Sequence, residues 1–278
     1  MDFYEAARIV EGIPLPHTSA GRGRVLYRHI RKNRPDNLLE LGTARGGSAV
    51  FIAAALEANG AGHLTSVDST RWRWMDPTPQ EVLEKAGLSD WVTLDKRFST
   101  YTWFLKTEIE KHLDPAGSIQ PEYDFIFLDG SKNWSTDGLA AVLAEKLLRP
   151  GGWLLLDDLS WSYEKNCETP RHYEIEITKL SDEERIQPHL RAIFDLLIRT
   201  NPAFDQFLVQ DHWWGWARKS PDMSRHISGG VVSGRRIEFR NTHSRLRYIR
   251  GGVWRHLPRA AQRRIHGLQR TAVRLSMR

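Results

Sequence analysis

Cysteine is almost absent from this chain of 278 residues, which contains Cys167 alone. A single cysteine excludes an internal disulfide and a zinc site built from several thiolates. No apolar run reaches the length of about 18 residues that a membrane-spanning helix needs. The first residues, Met1–Glu5, lack the basic and apolar regions of a signal peptide. We therefore expect a cytoplasmic protein.

Two common phosphate-binding motifs are also missing. No G-K-[ST] sequence is present, which excludes a Walker loop. Ala44 stands where a dinucleotide-binding motif has its second glycine, the one that admits a pyrophosphate. The glycine-rich turn of this chain is therefore expected to serve a different kind of ligand.

The composition is that of a globular protein, with 40% hydrophobic and 27% charged residues, and the net charge is +6. This charge is unevenly distributed. Residues 221–278 hold 14 basic and two acidic residues, whereas residues 1–220 hold 26 basic and 32 acidic ones. The sequence thus predicts an acidic domain over 1–220 and a basic C-terminal extension over 221–278.

Short apolar runs alternate with helical patterns between residues 37 and 160, which predicts a parallel sheet with helices on both faces. Two further strands, joined by Asp211-His212, would close the sheet as an antiparallel hairpin. The seven predicted strands are 37–41, 63–68, 91–95, 123–129, 153–156, 206–210 and 213–219. We expect residues 1–33 to form a helical cap and residues 160–200 to form a lid.

The first strand ends in an E-x-G-x-x-x-G pattern over Glu40–Gly46. This spacing suits a cofactor with an amino-acid tail and a sulfonium rather than a phosphate. The segment resembles the first motif of class I S-adenosylmethionine (SAM)-dependent methyltransferases. That resemblance implies a Rossmann-like, mostly parallel sheet of seven strands whose last strand is antiparallel.

The resemblance also implies which residues bind SAM. The glycines would leave room for the methionine portion, and Asp68 at the end of the second strand would accept hydrogen bonds from the ribose hydroxyls. Phe98 and Ser99 would lie near the adenine, although Arg97-Phe98-Ser99 departs from the small residue and Asp that the family often has there. The predicted cofactor-binding residues are Glu40, Gly42, Thr43, Gly46, Ser48, Asp68, Phe98 and Ser99.

Three carboxylates follow the fourth and fifth strands, namely Asp129, Asp157 and Asp158. Parallel strand ends meet at one edge of a sheet, where the acids would repel each other unless a cation or protons intervene. Such oxygen ligands suit Mg²⁺. The pattern resembles metal-dependent sugar O-methyltransferases and a cephalosporin-hydroxylase-like subgroup, in which equivalent acids hold a divalent metal. In the alternative interpretation, Asp158 caps a turn and Asp129 touches the cofactor only.

Two residues are candidates for the general base, and Asp129 completes the predicted catalytic set. Lys132 stands where many relatives have His, and it would need a depressed pKa to accept a proton. Otherwise Lys132 orients the substrate, neutralises a carboxylate or is merely exposed. His212, in the predicted hairpin turn, is the second candidate and is otherwise a surface residue.

The metal interpretation favours a small polyhydroxylated acceptor, such as a sugar, a glycolipid or a natural product. No [DN]-P-P-[YF] motif follows the fourth strand, which argues against a nucleobase acceptor. Trp134, Trp161 and Tyr163 are expected near the rim of the active site, where aromatic rings stack on ligands.

The amphipathic, arginine-rich segment 258–278 leaves several roles open. It could lie on anionic lipid at the inner face of the membrane, pack against a second subunit, or be a solvated helix. Two alternative functions follow from it: an RNA methyltransferase that grips RNA with this tail, and a non-catalytic membrane-associated adaptor with a methyltransferase fold.

Overall fold

The computed structural model describes residues 1–14, 18–69, 75–96, 98–166 and 177–222, together with the backbone of 237–240. The chain divides into two compact units, Met1–Thr242 and His243–Arg278. The first unit therefore extends past the predicted domain boundary at residue 220. The second unit, and with it the amphipathic segment 258–278, lies outside the described residues.

One mixed sheet forms the centre of the first unit, in the order β3-β2-β1-β4-β5-β7-β6-β8. The strands are β1 Asn37–Leu41, β2 His63–Val67, β3 Val92–Asp95, β4 Tyr123–Leu128, β5 Leu148–Leu156, β6 Phe204–Gln210, β7 Trp214–Lys219 and β8 Ile237–Arg240. β1 to β5 are parallel, and β7 is antiparallel to both β5 and β6. The predicted seven strands and the antiparallel β7 are confirmed. The prediction lacked β8, which pairs in parallel with β6.

Helices connect the strands and precede the sheet. They are α1 Phe3–Glu11, α2 Ala20–Asn33, α3 Gly47–Asn59, α4 Pro79–Ala86, α5 Tyr101–Lys111, α6 Trp134–Leu147, α7 Tyr163–Asn166, α8 Asp182–Ile186 and α9 His189–Ile193. A π-helical turn, Phe194–Ile198, continues α9. The N-terminal helical cap is present as α1 and α2, whereas α5 was not predicted. In the described part of the chain, no helix combines the length and apolarity needed to cross a bilayer.

Successive residues of the central strands face opposite sides of the sheet and build two hydrophobic cores. Leu38 of β1 and Phe125 of β4 pack with α1 to α4, while Leu39 and Ile126 pack with α5, α6 and α9. Both faces are therefore covered, which explains the continuous apolar run at the end of β4.

The register of the central strands aligns their carboxyl ends. Leu41 of β1 is paired with Leu128 of β4, which is paired in turn with Leu156 of β5. The main-chain N–H of Asp129 donates to the carbonyl of Leu41 at 2.9 Å, and that of Asp157 donates to the carbonyl of Leu128 at 3.0 Å. The glycine-rich turn and the two acidic strand ends consequently start side by side.

Candidate active site

Asp129, Asp157 and Asp158 converge at the carboxyl ends of β4 and β5, as their positions in the sequence predict. One carboxylate oxygen from each lies within 4.8 Å of the others. Asp157 is buried, and the indole Nε1 of Trp214 donates a hydrogen bond to its Oδ1 at 2.6 Å. We call these three carboxylates the acidic cluster. Its donor set of hard oxygens, with one ligand oriented by a buried indole, fits a divalent cation such as Mg²⁺.

Two basic side chains enter the acidic cluster from different parts of the chain. Lys132 Nζ forms an ion pair with Asp129 Oδ1 and lies 3.2 Å from Asp158 Oδ2. Arg22, in the first turn of α2, places Nη1 at 3.4 Å from Asp157 Oδ2 and 3.6 Å from Asp158 Oδ1. Both cations are needed here because three carboxylates in close contact repel one another.

The electrostatics of the acidic cluster shift the protonation equilibria of its members. Burial, followed by the charges of Asp129 and Asp158, raises the pKa of Asp157 to about 8. Burial also raises the pKa of Asp129, although Lys132 opposes this effect. Burial disfavours the charge of Lys132, but the neighbouring carboxylates outweigh it and hold its pKa well above the ordinary value. In this arrangement Lys132 is an ammonium group.

The loop that carries Lys132 is held by a buried anchor formed by Tyr101 and Asp137. The Tyr101 hydroxyl donates to Asp137 Oδ1, and the main-chain N–H of Ser131 donates to the Tyr101 hydroxyl oxygen at 2.9 Å. Asp137 Oδ2 accepts from the main-chain N–H of Asn133 at 3.0 Å. These bonds flank Lys132, whose φ of 62° is unfavourable for a side-chain-bearing residue. The anchor therefore fixes a strained loop at the acidic cluster.

Gly42 brings the glycine-rich turn into close contact with the end of β4. Its φ is +110°, and a Cβ atom at this position would lie 2.1 Å from the carbonyl oxygen of Asp129. The glycine is thus required by the approach of the neighbouring strand end, whatever room it also leaves for a ligand. Gly46 plays a local role as well, since it is the left-handed N-cap of α3 with a φ of 81°.

A buried polar network lies beneath the glycine-rich turn. Glu40 is fully buried, and the hydroxyl of Ser66 donates to its Oε2. Ser66 in turn shares a hydrogen bond of 2.6 Å with the hydroxyl of Thr43. Burial raises the pKa of Glu40 to about 8, while hydrogen bonds from Ser48 and Ser66 oppose the shift.

Asp68 ties the glycine-rich turn to the end of β2. Its Oδ2 accepts the main-chain N–H groups of Thr43 at 2.9 Å and Ala44 at 2.8 Å. Its Oδ1 accepts the N–H of Ser69 at 2.6 Å. A carboxylate offers about four lone-pair sites, so it retains acceptor capacity for ribose hydroxyls. Ribose binding by Asp68 stays a prediction.

The remaining predicted residues lie at the periphery. Phe98 is partly buried against the core of α5 and α6, Ser99 is exposed, and Arg97 lies outside the described residues. His212 has an exposed side chain and a φ of 63°, and its carbonyl accepts a hydrogen bond from Ser160. Trp134 is exposed, and its place at the rim of the active site stays a prediction.

The predicted aromatic rim is wrong for two of its three members. Trp161 and Tyr163 are buried, with 7% and 2% of their surface exposed, and their rings pack edge to face at 4.8 Å. Trp213 is instead the aromatic residue near the acidic cluster, because the centre of its ring lies 4.6 Å from the guanidinium carbon of Arg22.

Arg22, Tyr101, Asp137 and Trp214 were not predicted as site residues. Arg22 is 135 positions from Asp157, and Tyr101 is 36 positions from Asp137. Residues so far apart in the sequence form no local motif that could predict these contacts. Arg22 is one of several basic residues in α2, so its charge alone does not single it out.

Comparisons with known proteins identify relatives of this chain. Residues 39–159 match the family described as "Methyltransferase domain". The catechol O-methyltransferase of Niastella koreensis is 25% identical over 205 residues, which cover 72% of this chain and 77% of the relative.

Solved structures show the same fold. The O-methyltransferase of Bacillus cereus in complex with SAH is 20% identical, with a TM-score of 0.54 over 78% of this chain and 90% of the other. The O-methyltransferase TomG of Streptomyces achromogenes, involved in tomaymycin synthesis and solved with SAM, is 21% identical, with a TM-score of 0.52 over 78% of this chain and 89% of the other.

Proposed function

Because this chain is a class I SAM-dependent O-methyltransferase, we propose that it methylates one of two adjacent hydroxyl groups of a small acceptor with the help of a divalent cation. The observation that carries the proposal is the convergence of Asp129, Asp157 and Asp158 beside the glycine-rich turn. The named substrate of the Niastella koreensis relative, a catechol, supports an acceptor with adjacent hydroxyls. Sugars with neighbouring hydroxyls meet the same requirement.

Asp129, Asp157 and Asp158 would hold Mg²⁺. A bound divalent cation lowers the pKa of a hydroxyl group that touches it and so prepares the oxygen for methylation. Trp214 orients Asp157 through its indole N–H. This fixed orientation matters because methyl transfer depends on the in-line placement of oxygen and sulfonium.

The cofactor side of the proposal rests on the turn after β1. Gly42, Thr43, Gly46 and Ser48 would surround the methionine portion of SAM, and Asp68 would bind the ribose. Glu40 would support the turn from below through Ser66 and Thr43. Phe98 and Ser99 are kept as the proposed adenine contacts.

Lys132 is the proposed catalytic side chain. Its Nζ lies inside the acidic cluster, so it would contact the oxygen of an acceptor bound there. Comparison of Lys132→Arg with Lys132→Met separates two roles of this side chain, stabilisation of an oxyanion by its charge and acceptance of a proton. An arginine preserves the charge but cannot accept a proton. His212 is a weaker candidate because its side chain is exposed in the hairpin turn.

Calorimetric titration with SAM, with and without Mg²⁺, combined with transfer of a labelled methyl group to catechol, tests the proposal. Wild-type protein should bind SAM and methylate catechol only with a divalent cation. Asp129→Ala should keep SAM binding but lose the cation-dependent activity. Asp36→Ala is the matched control, because Asp36 is exposed just before β1, at the opposite end of that strand. Absence of SAM binding would overturn the function, and activity unaffected by chelation would overturn the cation.

A further inference from the structure

Arg22 connects the N-terminal helices to the acidic cluster. It is the third residue of α2, and the hydroxyl of Ser19 caps the helix by accepting the main-chain N–H of Arg22. From this position the side chain reaches Asp157 and Asp158 with the same nitrogen, Nη1, at 3.4 and 3.6 Å. The N-terminal cap therefore contributes a charged group to the active site.

Helix stability does not account for a cation at this position. The first turn of a helix has a positive partial charge from its unpaired N–H groups, which favours acidic side chains. The first turn of α2 contains no acidic residue. Arg22 is thus placed against the helix dipole, and the acidic cluster is the feature that compensates it.

The guanidinium group has donor capacity left over. Its face lies 4.6 Å from the centre of the Trp213 ring, and 32% of the side chain is exposed. Both carboxylate contacts use Nη1, and among the described residues no hydrogen bond uses Nε or Nη2. A guanidinium carries five N–H donors in a planar fork that matches a carboxylate. Arg22 therefore has donors left for a ligand bound beside the acidic cluster.

The charge balance indicates what that ligand carries. A bound divalent cation would keep all three carboxylates ionised, and Arg22 and Lys132 compensate two of them. The cation and the sulfonium of SAM would then leave the loaded site with two positive charges. An ionised acceptor hydroxyl neutralises one of them. An anionic group of the acceptor within reach of Arg22 would match the second.

Building on the proposed function, we propose that Arg22 binds a carboxylate on the acceptor and that the acceptors are small molecules combining adjacent hydroxyls with a carboxylate. Trp213 would hold the guanidinium plane in the orientation that presents the fork. A planar, bidentate partner is favoured over a single point charge, and this makes lysine a poor replacement.

The test compares three acceptors on the full chain with SAM and Mg²⁺: catechol, protocatechuate (a catechol with a carboxylate) and dopamine (a catechol with an ammonium). Wild type should show a kcat/KM for protocatechuate about tenfold or more above that for catechol, as expected for a charge-assisted hydrogen bond. Dopamine should be the poorest acceptor. Arg22→Met should abolish the preference, and Arg22→Lys should retain part of it.

Arg24→Met is the matched control, because the Arg24 guanidinium carbon lies 4.6 Å from the Phe3 ring on the same helix. It should keep the wild-type preference. Methylation of catechol and protocatechuate at equal efficiency by wild type, or an unchanged preference in Arg22→Met, would overturn the inference while leaving the proposed function intact.

Binding supplies a readout independent of turnover. In calorimetric titrations with SAH and Mg²⁺ present, protocatechuate should bind wild type and the Arg24 variant more tightly than catechol, and Arg22→Met should lose this difference. If none of the acceptors is methylated, the proposed function fails for these compounds. The titration then still decides on Arg22, since equal binding of the two ligands contradicts its role.

Discussion

Glu40 carries a titratable carboxyl group into a site without solvent, and this makes the stability of the fold depend on pH. Burial raises its pKa from 4.5 to about 8. The folded protein therefore holds this proton more tightly than the unfolded chain does. The stabilisation that this group contributes is fully present below its unfolded pKa of 4.5. It is lost as the pH rises from there to the folded pKa of about 8, by up to about 1.4 kcal/mol per pH unit. Asp157, with its pKa raised to about 8, adds a dependence of the same sign.

Glu40→Gln should flatten this dependence, because glutamine has the same shape and no titrating proton. We expect the free energy of unfolding to fall less between about pH 5.5 and about pH 8.5 in the variant than in wild type. Urea unfolding monitored by tryptophan fluorescence measures the difference. Equal declines in the two proteins would show that Glu40 is ionised at both pH values.

Gly42 and Gly60 offer a controlled pair of substitutions by alanine. Both have a positive φ, +110° and +69°, but a Cβ atom on Gly60 meets no atom within 4 Å, whereas one on Gly42 meets the Asp129 carbonyl at 2.1 Å. Gly42→Ala should cost about 2 to 4 kcal/mol of stability, and Gly60→Ala about 1 kcal/mol. Denaturant unfolding of both variants gives the comparison, and similar losses would contradict the close approach of the two strand ends.

At the level of elements, α5 and α6 act together on the loop between β4 and α6. Tyr101→Phe removes the hydroxyl that links Asp137 to the main chain of Ser131. The loop should lose its fixed geometry, so kcat should fall by about tenfold while the affinity for SAM changes little. Steady-state kinetics with catechol and calorimetry with SAM provide the two measurements.

Tyr27→Phe is the control for this variant, since the Tyr27 hydroxyl donates to the carbonyl of Met1 at 3.3 Å in the N-terminal cap. It should keep the wild-type kcat. An equal loss of SAM affinity and kcat in Tyr101→Phe would indicate a general loss of structure rather than a displaced loop.

The strands were predictable because each buried strand is a compact apolar run between turn residues, whereas α5 and β8 were not. In Tyr101–Lys111 the buried face of Tyr101, Phe104 and Leu105 also includes the acidic Glu108, and Trp103 is exposed on the other side. Ile237–Arg240 is a four-residue segment among arginines. At the site, Asp129, Asp157 and Asp158 were predictable because parallel strands end at one edge. Arg22 was not, because its contact with the acidic cluster depends on how α2 packs against the sheet.

At the scale of the molecule, the cofactor site and the excess positive charge belong to different parts of the chain. Residues 243–278 contain ten arginines and no acidic residue, while the predicted SAM contacts all precede residue 100. A chain ending at Thr242 should therefore bind SAM within about twofold of the full chain, because local changes outside a site alter its affinity little.

The same deletion should weaken binding to vesicles rich in phosphatidylglycerol, since basic segments gain about 1 kcal/mol per arginine near an anionic surface. Co-sedimentation at low and high salt measures this. Retained vesicle binding by the shortened chain would contradict a membrane role for the tail. Salt-sensitive RNA binding that disappears with the deletion would instead favour the RNA alternative.

The position of β8 determines where such a deletion can be made. Ile237–Arg240 pairs along β6, so it occupies backbone hydrogen-bonding groups that a seven-residue strand would otherwise present to solvent. Exposed edge strands of this length can pair with strands of other molecules, which promotes edge-to-edge aggregation. The opposite edge, β3, is only four residues long. A short segment near the end of the first unit thus covers part of the sheet edge, and a chain ending before residue 237 would leave β6 open to edge-to-edge association.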